Sequence, residues 1–265
     1  MKKIVVIFCF TLLSKGTFAQ RVKTVLPNSK GNTIVKSKMV WSEEFNLNNL
    51  DTIAWKVNTG EHGSEEQYYR NSKKNIFIEN GILKLTAHKE KHERFNYSSG
   101  QIISKKEFSF GYYEVRAKVP SGKGLWPAFW FYKGSGTYYQ EIDVFEFGGS
   151  NTSRYWVNNF WKAATGDLSD NAMIIPKLNG WWFFNKKLDL SDDFFTYGVN
   201  LAPNKIEYYF NGQLVHVKTT HVPQLPMPVF LNLAVGGFYD GPPNAQTVFP
   251  CSFEIDYFRA YENLK

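Results

Sequence analysis

Tyr113-Glu114-Val115-Arg116-Ala117-Lys118-Val119 alternates apolar and charged side chains over seven positions without a break. A period of two belongs to a strand with one face in a core and the other turned away from it. Working outward, Asn80-Gly81 separates Ile76-Phe77-Ile78 from Ile82-Leu83-Lys84-Leu85, and Asn211-Gly212 separates Ile206–Phe210 from Leu214–Val217. Asn-Gly between β-type runs predicts tight hairpins, because both turn residues need positive φ. Further strands are expected over Glu141–Phe147, Tyr155–Phe160, Phe194–Val199, Val229–Ala234 and Phe253–Tyr261. No segment carries an apolar period of 3.6 over three turns. The pattern predicts an all-β protein, an antiparallel sandwich with Gly- and Pro-containing turns.

The chain has 265 residues, enough for one all-β domain with a sizeable core. Its 23 Phe, 15 Tyr and 8 Trp argue against disorder. Neither heptads nor a glycine period is present, which excludes coiled coil and collagen. Residues 1–19 have the layout of a secretory signal peptide: a basic Lys2-Lys3 head, an apolar run from Ile4 to Leu13, and a small residue at Ala19. That run is too short to span a bilayer, and no other stretch is long and apolar enough. Residues 20–37 are polar and aperiodic and read as a tail or linker, so the folded domain is expected over 38–265. Cleavage after Ala19 removes three lysines and no acids, taking the charge from +7 to +4. No cluster of Lys and Arg is interleaved with a recognition motif, so nucleic acid is not an expected partner. Cys9 lies in the apolar run, which leaves Cys251 as the single mature cysteine and rules out an intrachain disulfide.

Glu141-Ile142-Asp143-Val144-Phe145-Glu146-Phe147 sets three acids in an otherwise apolar strand. Strict alternation puts Glu141 and Asp143 on one face and sends Glu146 to the other. A β-bulge near Val144-Phe145 would absorb one residue and return Glu146 to its neighbours. Four effective steps of ~3.3 Å then separate the outer Cα atoms by about 13 Å. Side chains leaning inward by roughly 4 Å each close the carboxyl gap to about 5 Å, the spacing of a retaining glycosidase. Three acids this close cannot all ionise easily, so at least one should keep a proton at neutral pH. Trp126-Pro127-Ala128-Phe129-Trp130 lies just upstream, and acids among aromatic rings suit sugars, whose C–H faces stack on rings.

Trp126-Pro-Ala-Phe-Trp130 followed by Glu141-Ile-Asp-Val-Phe-Glu146 resembles glycoside hydrolase family 16, the laminarinase, lichenase, agarase and carrageenase clan. The spacing between Asp143 and Glu146 matches the bulged laminarinase form. Trp41-Ser-Glu-Glu-Phe45, Glu66-Gln-Tyr-Tyr69, Phe110-Gly-Tyr-Tyr-Glu114, Leu231–Gly237, Thr247–Pro250 and Ile255-Asp-Tyr-Phe-Arg259 extend the resemblance along the chain. It implies a jelly-roll sandwich with an open cleft and retaining endo-hydrolysis of a β-linked polysaccharide. Glu141 would match the nucleophile, Glu146 the general acid/base and Asp143 the assisting carboxylate. Trp126, Trp130 and Asn232 match cleft positions, and Asn159 and Trp161 are candidates for the same cleft.

No catalytic cofactor is expected, and the protein is expected to be a monomer. Many relatives hold a structural calcium, for which Glu44, Asp256 and the Gly81 carbonyl match the ligand positions. There are departures. Val157-Asn158-Asn159-Phe160 stands where laminarinases often carry a His, Gln101 where Arg is frequent, and Phe195 where His is common. Asn200-Leu201 replaces a frequent Glu-Trp. The stretch from Gly166 to Lys187, with Trp181-Trp182, reads as an insertion over the cleft. The implied activity is that of a secreted endo-β-1,3- or mixed β-1,3-1,4-glucanase. Two other readings are an enzyme for a galactan of agar, porphyran or carrageenan type, which predicts a basic rather than neutral cleft and salt-sensitive binding, and a non-catalytic carbohydrate-binding jelly roll.

Overall fold

The computed structural model describes residues 37–135, 138–163, 166–176 and 188–263. The leader, Cys9, most of the tail and Trp181-Trp182 fall outside these residues. The strands in chain order are β1 (Ser37–Glu43), β2 (Trp55–Val57), β3 (Gln67–Tyr69), β4 (Ile76–Glu79), β5 (Ile82–Ala87) and β6 (Tyr97–Ser99). They continue as β7 (Gln101–Phe108), β8 (Gly111–Lys118), β9 (Leu125–Ser135), β10 (Tyr138–Glu146), β11 (Tyr155–Ala163) and β12 (Gly166–Ile174). The last five are β13 (Phe195–Ala202), β14 (Lys205–Phe210), β15 (Gln213–Lys218), β16 (Met227–Val235) and β17 (Cys251–Asn263).

Two antiparallel sheets face each other. One has seven strands in the order β12-β11-β10-β9-β16-β7-β2. The other runs β15-β14-β13-β8-β17-β5-β4, with β1 also paired to β17. A short parallel pair, β3 and β6, forms a ladder of its own. The all-β expectation therefore holds, and both Asn-Gly hairpins form with positive φ at each turn residue: 55° and 76° at Asn80-Gly81, 46° and 73° at Asn211-Gly212.

The opening stretch behaves as its period requires. Tyr113, Val115, Ala117 and Val119 are buried in the core between the sheets. Phe129 and Phe131 from β9 and Phe145 from β10 fill that core from the other side. Each such side chain contributes about 1.5–3 kcal/mol by leaving water. Phe145 reaches across to Tyr197 of β13, with ring centroids 4.6 Å apart.

β9 has no counterpart in the sequence reading, for a physical reason. Leu125-Trp126-Pro127-Ala128-Phe129-Trp130-Phe131-Tyr132 is apolar on both faces, so alternation is hidden; one face lines the core and the other the cleft. Residues 166–174, read as part of an overhanging insertion, instead form β12, a regular edge strand paired to β11 along its whole length.

Candidate active site

A cleft of about 550 Å³ opens on the face of the seven-stranded sheet that points away from the core. Even-numbered residues of β9 (Trp126, Ala128, Trp130, Tyr132) and β16 (Phe230, Asn232) form its floor, as period-two geometry demands. β10 contributes Glu141, Asp143 and Glu146.

The bulge that brings the third acid round is present. Against β9 the register of β10 shifts between Asp143 and Phe145, and against β11 between Asp143 and Glu146. Val144 and Phe145 both turn into the core, which is why the next residue returns to the cleft face. Glu146 pairs with Ala128 and Trp156, whereas Asp143 pairs with Trp130 and Asn158.

Three side chains donate to Glu146. Trp126 Nε1 reaches Oε1 at 3.0 Å, the Tyr239 hydroxyl reaches Oε2 at 2.7 Å, and Asn158 Nδ2 reaches the same oxygen. Asn158 also donates to the Tyr239 hydroxyl at 2.8 Å. Burial raises the Glu146 carboxyl to about 7, with the hydrogen bonds from Tyr239, Asn158 and Trp126 pulling the other way. Burial and then the charge of Glu146 push Glu141 up to about 8. Asp143 is held well above the ordinary range by burial and by both glutamates. The three carboxyls together therefore keep protons at neutral pH that separate, solvated acids would lose.

Trp126 sits where it does because position 237 is glycine. A Cβ there would come within 2.7 Å of the Trp126 ring, and the backbone has φ of 83°. Trp130 Nε1 donates to Asn232 Oδ1 at 2.7 Å, Asn232 Nδ2 to the Tyr69 hydroxyl at 3.0 Å, and that hydroxyl to Glu65 Oε2 at 3.0 Å. A hydrogen-bonded chain thus fixes Trp130 and Asn232 in the cleft floor.

Of the residues the sequence reading placed in the cleft, the three acids, Trp126, Trp130 and Asn232 are brought together. Asn159 and Trp161 are not. On β11 the cleft face carries Asn158, bonded to Glu146, and Phe160. Alternation turns the odd-numbered residues away. Asn159 Nδ2 donates to the Thr220 and His221 carbonyls, and the Trp161 ring stacks on His221 at 3.9 Å.

The residues matched to calcium ligands are engaged elsewhere. Arg259 makes a two-pronged pair with Glu44 at 2.9 and 2.8 Å, and Arg116 binds Asp256 at 2.6 Å. Guanidinium groups neutralise both carboxylates, so this donor set does not fit a calcium cage as arranged.

Sequence reasoning missed His62, Glu65, Tyr132, Phe230, Phe238 and Tyr239. His62 and Glu65 lie in an aperiodic polar loop, and Phe238, 75% exposed, follows two glycines. Only the paired glycines of Gly236-Gly237 hinted at a loop approaching the site.

Residues 63–259 match the model of Glycosyl hydrolases family 16. The Glucan endo-1,3-beta-glucosidase A1 of Niallia circulans is 28% identical over 86% of this chain, which spans only 38% of that protein's length. The Beta-glucanase of Rhodothermus marinus is 27% identical, over 84% of this chain and 85% of its own. Among solved structures, the laminarinase catalytic domain from Thermotoga maritima MSB8 superposes with a TM-score of 0.74 at 29% identity, covering 86% of this chain and 99% of that one. The family match covers well over half the chain and includes the bulged acid strand, so the protein belongs to the glycosyl hydrolases of family 16.

Proposed function

We propose that this chain is a secreted, monomeric, endo-acting β-glucanase that cleaves β-1,3- or mixed β-1,3-1,4-glucan with retention. The observation that carries the reading is the bulge in β10, which sets Glu141, Asp143 and Glu146 on one face of an open, aromatic-lined cleft. Relatives whose names describe glucan hydrolysis support the substrate class. A secreted location rests on the basic head and apolar run at the N-terminus.

In the first step a Glu141 carboxylate oxygen attacks the anomeric carbon. The bond from that carbon to the bridging oxygen breaks, and Glu146 gives its proton to the departing oxygen. In the second, Glu146, now a carboxylate, takes a proton from water, whose oxygen displaces Glu141 from the sugar. The two half-reactions run on carboxyl groups and water alone. The donors on Glu146 suit this double task. They stabilise its ionised form, so a carboxyl that burial alone would hold too tightly protonated titrates near 7, where it can both give and take a proton. Asp143, between the two, is the assisting carboxyl that limits how much charge the pair must share.

The lining of the cleft bears on the galactan reading. Among the described residues its lining includes Glu65, Glu141, Asp143 and Glu146, one histidine, and no Lys or Arg. A sulfated or carboxylated chain would meet like charge there, which favours a neutral glucan.

The test is reducing-sugar release by the mature protein from laminarin, mixed-linkage glucan, agarose and κ-carrageenan, with Glu141→Gln beside it. Release from a glucan that vanishes in the variant is the expected result. Release from a galactan alone overturns the substrate, and turnover surviving in Glu141→Gln overturns the nucleophile. Binding without release from any chain would point to the carbohydrate-binding reading.

A further inference from the structure

The groups that can favour a negative charge are divided unevenly between the two glutamates. Glu146 receives hydrogen bonds from Trp126, Tyr239 and Asn158. Among the described residues no side chain donates a hydrogen bond to Glu141, yet the proposed reaction needs Glu141 as the anion. Among the described residues one cation-forming side chain lines the cleft, the imidazole of His62 in the loop between β2 and β3.

His62 is held in place. Its Nδ1 lies 3.1 Å from Glu65 Oε1, and its ring centroid is 6.2 Å from that of Trp130. Glu65 is fixed in turn by the Tyr69 hydroxyl at 3.0 Å and by the Gln67 amide. Its side chain is 7% exposed, against 54% for His62. A buried carboxylate that accepts the Nδ1 proton fixes the tautomer and leaves the opposite edge of the ring, at Nε2, available to carry the second proton. The arrangement resembles the histidine–carboxylate half of a catalytic triad, here in the same cleft as a proposed nucleophile that is itself an acid.

We propose that His62, locked by Glu65, is a positioning residue that holds a positive charge in the cleft it shares with Glu141 and favours the ionised, attacking form of that carboxylate over the protonated one. The inference rests on the retaining-glycosidase reading above. The ionisable groups facing His62 are Glu65 from its own loop and Glu141 from β10, with Tyr132 of β9 lining the same cleft and Tyr69 of β3 behind Glu65. Nearby Glu61 is occupied by Arg94. The hydrogen bond to Glu65 raises the imidazole above its ordinary value; burial opposes this, and the charges of Glu65 and Glu141 add to it. In return, the His62 charge pulls Glu141 downward against burial and Glu146. Below its raised pKa the imidazolium supports the Glu141 anion; as pH climbs past that value, the support fades.

The experiment compares pH profiles of kcat/KM on laminarin for wild type, His62→Gln and Glu65→Gln. The limb on the acid side reports ionisation of the nucleophile, so losing the charge should move that limb to higher pH by about one unit in His62→Gln. Glu65→Gln should move it in the same direction by less. A drop in kcat/KM by the same factor at every pH, with the limb in place, would mean that His62 merely contacts sugar, and would overturn the proposal. Proton NMR titration of the His62 ring, assigned by its loss in His62→Gln, gives a readout independent of turnover. The midpoint should fall in Glu141→Gln. A midpoint unchanged in that variant overturns the proposal even if the protein cleaves glucan. If wild type cleaves no glucan, the glucanase reading fails, and the NMR midpoint alone decides whether the two side chains are coupled.

Discussion

Glu141 and Glu146 lie on one strand and face one cleft, but the protein treats them differently. Around Glu146 the neighbours are fixed hydrogen-bond donors on three elements: Trp126 on β9, Asn158 on β11 and Tyr239 in the loop after β16. Around Glu141 they are Tyr132 and Phe160 at its register positions, with His62 lining the same cleft. In the proposed mechanism, neutral donors would hold one acid steady through a change of charge in each half-reaction. A titrating cation would bias the other towards a single charge state. On that proposal, two carboxyls of the same chemical type are fitted to two tasks by their surroundings.

The sharpest way to break this contrast is to remove each acid. Glu141→Gln should lower kcat on glucan by on the order of 10⁴-fold or more, with no recovery on a substrate with a good leaving group. Glu146→Gln should lose about 10²–10⁴-fold on glucan, and an aryl glycoside with an acidic leaving phenol should restore much of its first step. Equal rescue of both variants would mean that the roles are not separate.

Smaller effects should come from the donors. Tyr239→Phe removes a 2.7 Å hydrogen bond that favours the Glu146 carboxylate, so its pKa should rise and the alkaline limb of kcat/KM should move to higher pH. That is the opposite limb from the one His62 is proposed to govern. Trp130→Ala should weaken binding about tenfold, read as KM, through lost stacking and a freed Asn232.

The smallest change should be in stability. Folding raises Glu141 above its unfolded value, so its stabilising contribution is full below about pH 4.3 and is lost as pH climbs through about 8. Glu141→Gln has no such proton to lose. Its melting temperature should therefore exceed that of wild type by a few degrees at pH 9, at ~2–4 °C for each kcal/mol, with the gap closing towards acid.

Much of this was legible in the residues. Alternation from Tyr113 to Val119, the two Asn-Gly turns and the extra residue between Asp143 and Glu146 are local signals, because strand period, turn φ and bulge all act over a few neighbours. The parity error at Asn159 is instructive. The choice between Asn158 and Asn159 turns on which face of β11 meets the cleft, and a run of Val157-Asn158-Asn159-Phe160 lacks the contrast to say. The pairing of Asp143 with Asn158 settles it.

By itself, then, the sequence determined the strand-built architecture, the acids and their bulge, and the aromatic company they keep. Only the tertiary structure decided that Arg259 and Arg116 take the carboxylates of Glu44 and Asp256, that Asn158 and Tyr239 serve Glu146, and that a loop histidine some eighty positions away in the chain stands in the same cleft as Glu141. The physical reason is range. Backbone preferences are set between near neighbours, whereas the charge state of a buried acid is set by whatever the fold brings within a few ångströms of it.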